Sequence, residues 1–302
     1  MPGYAVSADH KEQLLEEGYI LLAEALPADL LNRWRELAER LELKALEAHA
    51  RNEHLHGACV IEDPVGPRLM RYDDVLGQDT NAVLDLLACP AMMAVARELC
   101  GAEAVPLQMD ILYKHQHPHP VILWHQGAPH PRGHPYLNVG IYLDDAGPDD
   151  GCLHYVPGTQ HELQDICGLA EAHGWDIPGV VKQPAKAGDI LVQDMMILHG
   201  SPPKRSPGVR RTIYVELRPV PGIRESGAQS EQWIEQRKRW MGMVLRRAGT
   251  AASWPDAFPE DLATDEEEAG AILSMWEPPI PAVYCSFPVE TDNYPVPSDL
   301  AD

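Results

Sequence analysis

Apolar and polar positions along the first fifty residues predict a helix, a short strand and a second helix. In "ADHKEQLLEEG" (8–18) the spacing is helical, with Ser7 where an N-cap belongs and Gly18 as the stop. "YILLAEAL" (19–26) is apolar and strand-like. Pro27 stands at the first-turn position of "PADLLNRWRELAERLELKALEAHA", whose Leu30, Leu31, Trp34, Leu37, Ala38 and Leu41 fall on one face. "NAVLDLLACPAMMAVARELCG" (81–101) predicts a further helix that ends at its glycine.

From about residue 104 the pattern changes. "EAVPLQMDILYK", "LNVGIYLDD", "GCLHYVPG", "GDILVQDMMILHG" and "RRTIYVELRP" are short strands between Gly, Pro and Asp turns. Such spacing predicts a sandwich or barrel rather than β-α-β units, so the fold class is mostly β with flanking helices. Beyond residue 220, "SEQWIEQRKRWMGMVLRR" places Trp233, Trp240, Met241, Val244 and Leu245 on one helical face. The remainder, to "NYPVPSDLAD", is Pro-rich and acidic and reads as an extended strap or a loose tail. The expected organisation is one domain over 1–302: helical support over 1–103, a β core over 104–219, and a C-terminal helix with extension over 220–302.

Composition narrows the partners. The chain has 302 residues, with 24 Lys+Arg against 46 Asp+Glu and a formal net charge of -22. That argues against a nucleic-acid polymer or an anionic membrane surface, which need a broad basic face, but leaves room for a small anion on a few arginines. The N-terminal stretch has neither a basic n-region nor a long apolar run. Six scattered cysteines without a C-x-x-C pair read as reduced thiols, which implies a cytoplasmic protein.

Fourteen histidines are present, and His115, His117, His119, His125, His130 and His134 crowd one stretch. A loop histidine is usually solvated. His125 and His199 differ, because each ends an apolar run ("VILWH", "ILVQDMMILH") at a turn. Strand ends far apart in sequence meet at the mouth of a rolled sandwich, where two imidazoles can share a metal.

These segments resemble the phytanoyl-CoA dioxygenase-like branch of the iron(II)/2-oxoglutarate oxygenases. "WHQG" matches the family's His-x-Asp segment apart from its carboxylate. "DDGCLHYVPGTQHE" resembles the family's Asn-Gly-Cys-Leu…Pro-Gly-Ser-His stretch, "AGDILVQDMMILHGSPPKRSPGVRR" its distal-histidine segment, and residues 10–34 its N-terminal helix–strand–helix. The resemblance, which spans about residues 10–219, implies a double-stranded β-helix (jelly-roll, cupin-like) core. It also implies iron(II) on His125 and His199, with 2-oxoglutarate and O2 as cosubstrates. The family spacing assigns the distal carboxylate of 2-oxoglutarate to Arg210 rather than Arg211, with Ser201 adding a hydroxyl and Lys114 and Gln108 nearby. Arginine suits this task because its planar fork meets a carboxylate with two hydrogen bonds.

The family's carboxylate position is Gly127 here. Within the family, glycine or alanine at this position is similar to the halogenase branch, where chloride binds iron in the vacated place. The resemblance therefore implies a chlorinase that replaces an unactivated C–H with C–Cl by radical transfer, with Gly127 as the open halide position. The competing readings are a hydroxylase that recruits Asp144, Asp145, Asp149 or Asp150, an altered variant, a non-catalytic relative, and a zinc hydrolase, for which no HExxH spacing appears.

For the substrate, "PHPRGHPYLN" offers Arg132, His134, Tyr136 and Asn138, and "GPRLMRYDD" offers Arg68 and Arg71. Arg237, Lys238, Arg239, Arg246 and Arg247 form a further basic cluster. Such clusters suit a phosphate or carboxylate, though surface salt pairing explains any single member. Similarity to the free-substrate halogenases implies a small molecule, with the sugar of a deoxyadenosine monophosphate as the leading expectation.

Overall fold

The computed structural model describes residues 4–118, 121–250, 254 and 258–285. His119 and the "NYPVPSDLAD" stretch lie outside the described residues. Helix α1 (Ala8–Glu17) starts at Ser7, whose side chain accepts from the His10 amide, and stops at Gly18 in the left-handed conformation (φ 86°). Strand β1 (Tyr19–Leu22) follows, then α2 (Ala28–Ala50), which buries Trp34, Leu37, Ala38, Leu41, Ala45 and Ala48 on one stripe. Each large side chain of that stripe contributes about 1.5–3 kcal/mol by leaving water.

The segment expected to be helical support also contains a hairpin, β2 (Ala58–Asp63) and β3 (Gly66–Tyr72). The long helix expected over 81–101 is instead three pieces. These are α3 (Thr80–Leu87), α4 (Pro90–Ala94) and a π-helical turn over Val95–Cys100. Pro90 explains the break. It lacks the N–H that an uninterrupted helix needs there, and it restarts the helix as a first-turn residue.

The remaining elements are β4 (Ala104–His115), β5 (Ile122–Gln126), β6 (Leu137–Tyr142), β7 (Leu153–Val156), α5 (Ile166–His173), β8 (Val181–Gln183), β9 (Ile190–Asp194), β10 (Leu198–Ser201), β11 (Val209–Pro219), α6 (Val220–Ser226), α7 (Glu231–Ala248), α8 (Asp265–Ser274) and β12 (Val283–Tyr284). They form two antiparallel sheets, β1-β9-β6-β11-β4-β3-β2 and β12-β5-β10-β7-β8. The chain passes repeatedly from one sheet to the other, as in a jelly roll. Along β11, Ile213, Val215 and Leu217 join the apolar core shared with the helices, while Arg210 and Thr212 point the opposite way. This alternation puts charged and hydroxyl groups between the sheets.

The extension packs rather than trailing, as far as Cys285. The apolar face of α7 is buried as expected, with Trp233, Trp240, Met241, Val244 and Leu245 inside. β12 adds an edge strand beside β5. Cys285 is disulfide-bonded to Cys167, while Cys59, Cys89, Cys100 and Cys152 are free. The expectation of six reduced thiols is therefore corrected, and with it the premise for a cytoplasmic location. Two cysteines 118 residues apart in sequence carry no local spacing signal; the fold brings them together. Among the described residues, no helix is long and apolar enough to cross a membrane.

Candidate active site

His125 on β5 and His199 on β10 are direct partners across the antiparallel ladder, with ring centroids 4.0 Å apart. Each is positioned by its own strand. His125 Nδ1 donates to Leu123 O and His199 Nδ1 to Ile197 O, both at 2.8 Å. That bond fixes the tautomer and makes Nε2 the lone-pair nitrogen of each ring, the atom that could ligate a metal; in His199 it meets the Gln193 side-chain amide at 3.0 Å. Burial pushes His125 down to about 4 and holds His199 well below the ordinary imidazole range, the neighbouring His125 adding to the effect. Both rings are thus neutral and ready to ligate. Tyr284 of β12 stacks on His125 at 4.5 Å and 12°.

Among the described residues, no third His, Cys, Asp or Glu joins this pair. The four acids considered as recruits are engaged elsewhere: Asp144 with Arg211, Asp145 with Lys186, Asp149 with Lys182 and Asp150 with Lys204. Position 127 is not open in the sense expected. The Gly127 amide donates to Met195 O at 2.6 Å, and a β-carbon at 127 would overlap that same carbonyl oxygen. The glycine is required by close backbone approach, and the space along its side-chain direction is filled.

Two residues beyond His199 on β10, Ser201 leads to a buried cationic pair. Arg210 and Lys114 are register partners on β11 and β4, and both are buried. Arg210 donates to Gly151 O; Lys114 Nζ donates to Ser201 Oγ at 2.6 Å and to Ser201 O at 2.9 Å. Ser201 Oγ in turn donates to Gly151 O at 2.7 Å. Burial and the adjacent Arg210 hold Lys114 well below its ordinary pKa. Among the described residues, neither cation is in an ion pair, and Arg210 Nε, Thr212 Oγ1 and Tyr142 Oη are buried without a partner. Two uncompensated cations and three orphaned polar atoms fit a carboxylate-bearing guest, because leaving them unpaired is costly. Arg211 points outward and is committed to Asp144 and Glu39.

Gln108 does not join that pair. It lies six residues along β4 from Lys114, about 20 Å away at strand spacing, and it donates to Asp110 and Glu216. Arg132 is paired with Asp194, His134 with Glu225, Arg71 with Asp73, and Arg68 donates to Gln116 O. Tyr136 is buried between His130, stacked at 4.4 Å, and Arg218, 4.6 Å above the ring. Asn138 faces Gln193 and Glu216 in register. The basic cluster of α7 is largely spent on the acidic α8: Arg239 on Glu268, and Arg246 and Arg247 on Asp265. Near Arg71, burial and neighbouring carboxylates, Asp73 foremost, raise Asp110 to about 8.

Sequence reasoning missed Gln193, Tyr155, Tyr142, Thr212 and Tyr284. Two signals were available. Gln193 is a lone amide in the apolar run "ILVQD", and Thr212 follows Arg210 at the two-residue period of one strand face.

The family model described as phytanoyl-CoA dioxygenase (PhyH) matches residues 14–212. L-proline trans-4-hydroxylase of Streptomyces griseoviridis is 29% identical over 136 residues, which are 36% of this chain and 49% of that protein. The match thus spans about half the length of that relative. The crystal structure of AviO1 from Streptomyces viridochromogenes shares 28% identity with a TM-score of 0.60, covering 72% of this chain and 97% of that one. HygX from Streptomyces hygroscopicus, solved with nickel and 2-oxoglutarate, shares the fold at 16% identity and a TM-score of 0.57, over 72% of this chain and 88% of that one.

Proposed function

The chain belongs to the phytanoyl-CoA dioxygenase family of iron(II)/2-oxoglutarate oxygenases, and from that premise we propose that it is a halogenase acting on a free small molecule. The observation that carries this reading is the pair of tautomer-locked histidines, which no third acidic ligand joins among the described residues. The Met195 carbonyl strengthens it, since a carboxylate cannot enter at 127 without moving the backbone. A halide supplies the missing negative ligand.

His125 and His199 hold iron(II) through Nε2. Arg210 takes the distal carboxylate of 2-oxoglutarate, with Thr212, Tyr142 and Lys114 around it, and Ser201 keeps Lys114 in place. Iron(II) and 2-oxoglutarate bound there would supply the oxidising chemistry, by which 2-oxoglutarate, O2, the substrate C–H and chloride would become succinate, carbon dioxide, C–Cl and hydroxide. Tyr284 covers one face of His125.

For the substrate, the deoxyadenosine monophosphate expected from sequence stays a test compound but is not favoured. The basic side chains it needs are mostly in ion pairs, whereas the carboxylates Asp110, Glu216 and Asp73 cluster around Gln108 and Arg71. Uncharged or amine-bearing small molecules suit this cluster better than a phosphate does.

The test is anaerobic absorbance of the protein with iron(II) and 2-oxoglutarate, titrated with chloride, followed by product mass spectrometry in chloride and bromide buffers. Chloride is expected to shift the charge-transfer band, and product mass to follow the halide supplied. A halide-insensitive band with hydroxylated product in both buffers overturns the proposal in favour of a hydroxylase, the activity named for the proline relative.

A further inference from the structure

The side-chain amide of Gln193 lies beside the metal-facing nitrogen of His199, and neither the metal nor the 2-oxoglutarate assignment uses it. Gln193 is 2% exposed on β9, with Nε2 3.0 Å from His199 Nε2. Because His199 Nδ1 donates to the Ile197 carbonyl, the ring's Nε2 accepts, so the amide presents its N–H edge. The opposite edge is held as well: Gln193 Oε1 accepts from the Tyr155 hydroxyl. Tyr155 is itself fixed, fully buried, opposite His199 in register and stacked on Tyr19 at 4.5 Å. The amide is therefore oriented from two sides.

A metal on His199 Nε2 would take the lone pair that this amide now meets, so the amide would have to shift aside, and its N–H groups would then be free for another acceptor beside that histidine. An acceptor-only anion suits this donor. The charge of 2-oxoglutarate is met at the far end by Arg210 and Lys114. Two residues beyond Gln193, Met195 presents the carbonyl that excludes a β-carbon at 127. The segment 193–195 thus withholds a carboxylate ligand and offers an anion donor in its place.

We propose that Gln193 is the halide-binding residue of this site, its side-chain amide N–H donating to a chloride or bromide beside His199, with Tyr155 as the positioning residue that orients it. This inference rests on the halogenase reading and names the group that holds the halide.

The experiment is chloride titration of the anaerobic iron(II)/2-oxoglutarate band in wild type, Gln193→Leu, Gln193→Glu and Tyr155→Phe. Half-saturating chloride is expected to rise about tenfold or more in Gln193→Leu, the effect of losing a hydrogen bond to a charged group. Half-saturating 2-oxoglutarate without chloride is expected to change by less than about threefold, since the Arg210 and Lys114 pair is untouched. Gln193→Glu is expected to abolish the chloride response by repulsion, and Tyr155→Phe to weaken it. A Gln193→Leu protein that forms the band and responds like wild type overturns the assignment and leaves the halogenase reading standing. Wild type without any chloride response removes both. If Gln193→Leu fails to form the band, Tyr155→Phe decides, and an unchanged half-saturation there overturns the assignment.

Discussion

At position 127 the packing is tight enough that even alanine is too large, because its β-carbon would meet the Met195 carbonyl oxygen. Gly127→Ala is expected to cost about 1–3 kcal/mol in urea unfolding, the range of overpacking a filled site. Gly127→Asp is expected to cost more in the same assay and, on the proposed halogenase reading, to abolish the chloride response of the iron(II)/2-oxoglutarate band. His154 offers a second test at this scale. It is packed beside Trp124 and Trp175, and burial, aided by the Lys182 charge, lowers it from 6.5 to about 4. The unfolded chain then binds a proton that the folded one refuses. This contribution is complete above about 6.5 and is lost as pH falls through about 4. His154→Phe is expected to flatten the pH dependence of the urea midpoint in that window by about one proton. His125 and His199 sustain the remaining slope. His125 and His199 were legible as a candidate pair, since each ends an apolar strand. The Met195 carbonyl was not, because a backbone atom has no sequence signature.

Helices α7 and α8 show how an element's partners change its meaning. The basic residues of α7 read as a phosphate-binding face, yet Glu268, buried on α8, accepts from Arg239 twice at 2.6 Å. The same pairing holds the Glu268 carboxyl below its ordinary range. Arg239→Ala is expected to destabilise by about 1–3 kcal/mol, less than for a fully buried pair because Arg239 is partly exposed. Glu268→Gln, which keeps the shape, is expected to cost less in the same thermal unfolding assay. The start of α8 carries a capping box between Thr264 and Glu267, a pattern present in "TDEE" that the sequence reading passed over. The β2–β3 hairpin was equally unread, because its burial alternates only weakly.

At the scale of the molecule, the Cys167–Cys285 bond ties the C-terminal strap to helix α5, which packs against the sheet that carries the histidines. Cys285→Ser is expected to lower stability by about 2–4 kcal/mol, as measured by calorimetry, and reductant is expected to do the same to wild type. It is also expected to loosen β12, so that Tyr284 no longer covers His125. By itself the sequence determined the antiparallel sandwich, the amphipathic helices and the two histidines, because strand and helix periodicity and residue type are local properties. It also determined that no carboxylate stands at 127. Only the tertiary structure decided that this position is closed by Met195, that Arg210 rather than Arg211 faces inward, that Arg239, Arg246 and Arg247 of α7 pair with α8, and that Gln193 meets His199. Each of these depends on groups brought together from distant segments, and long-range packing of that kind leaves no periodic trace along the chain.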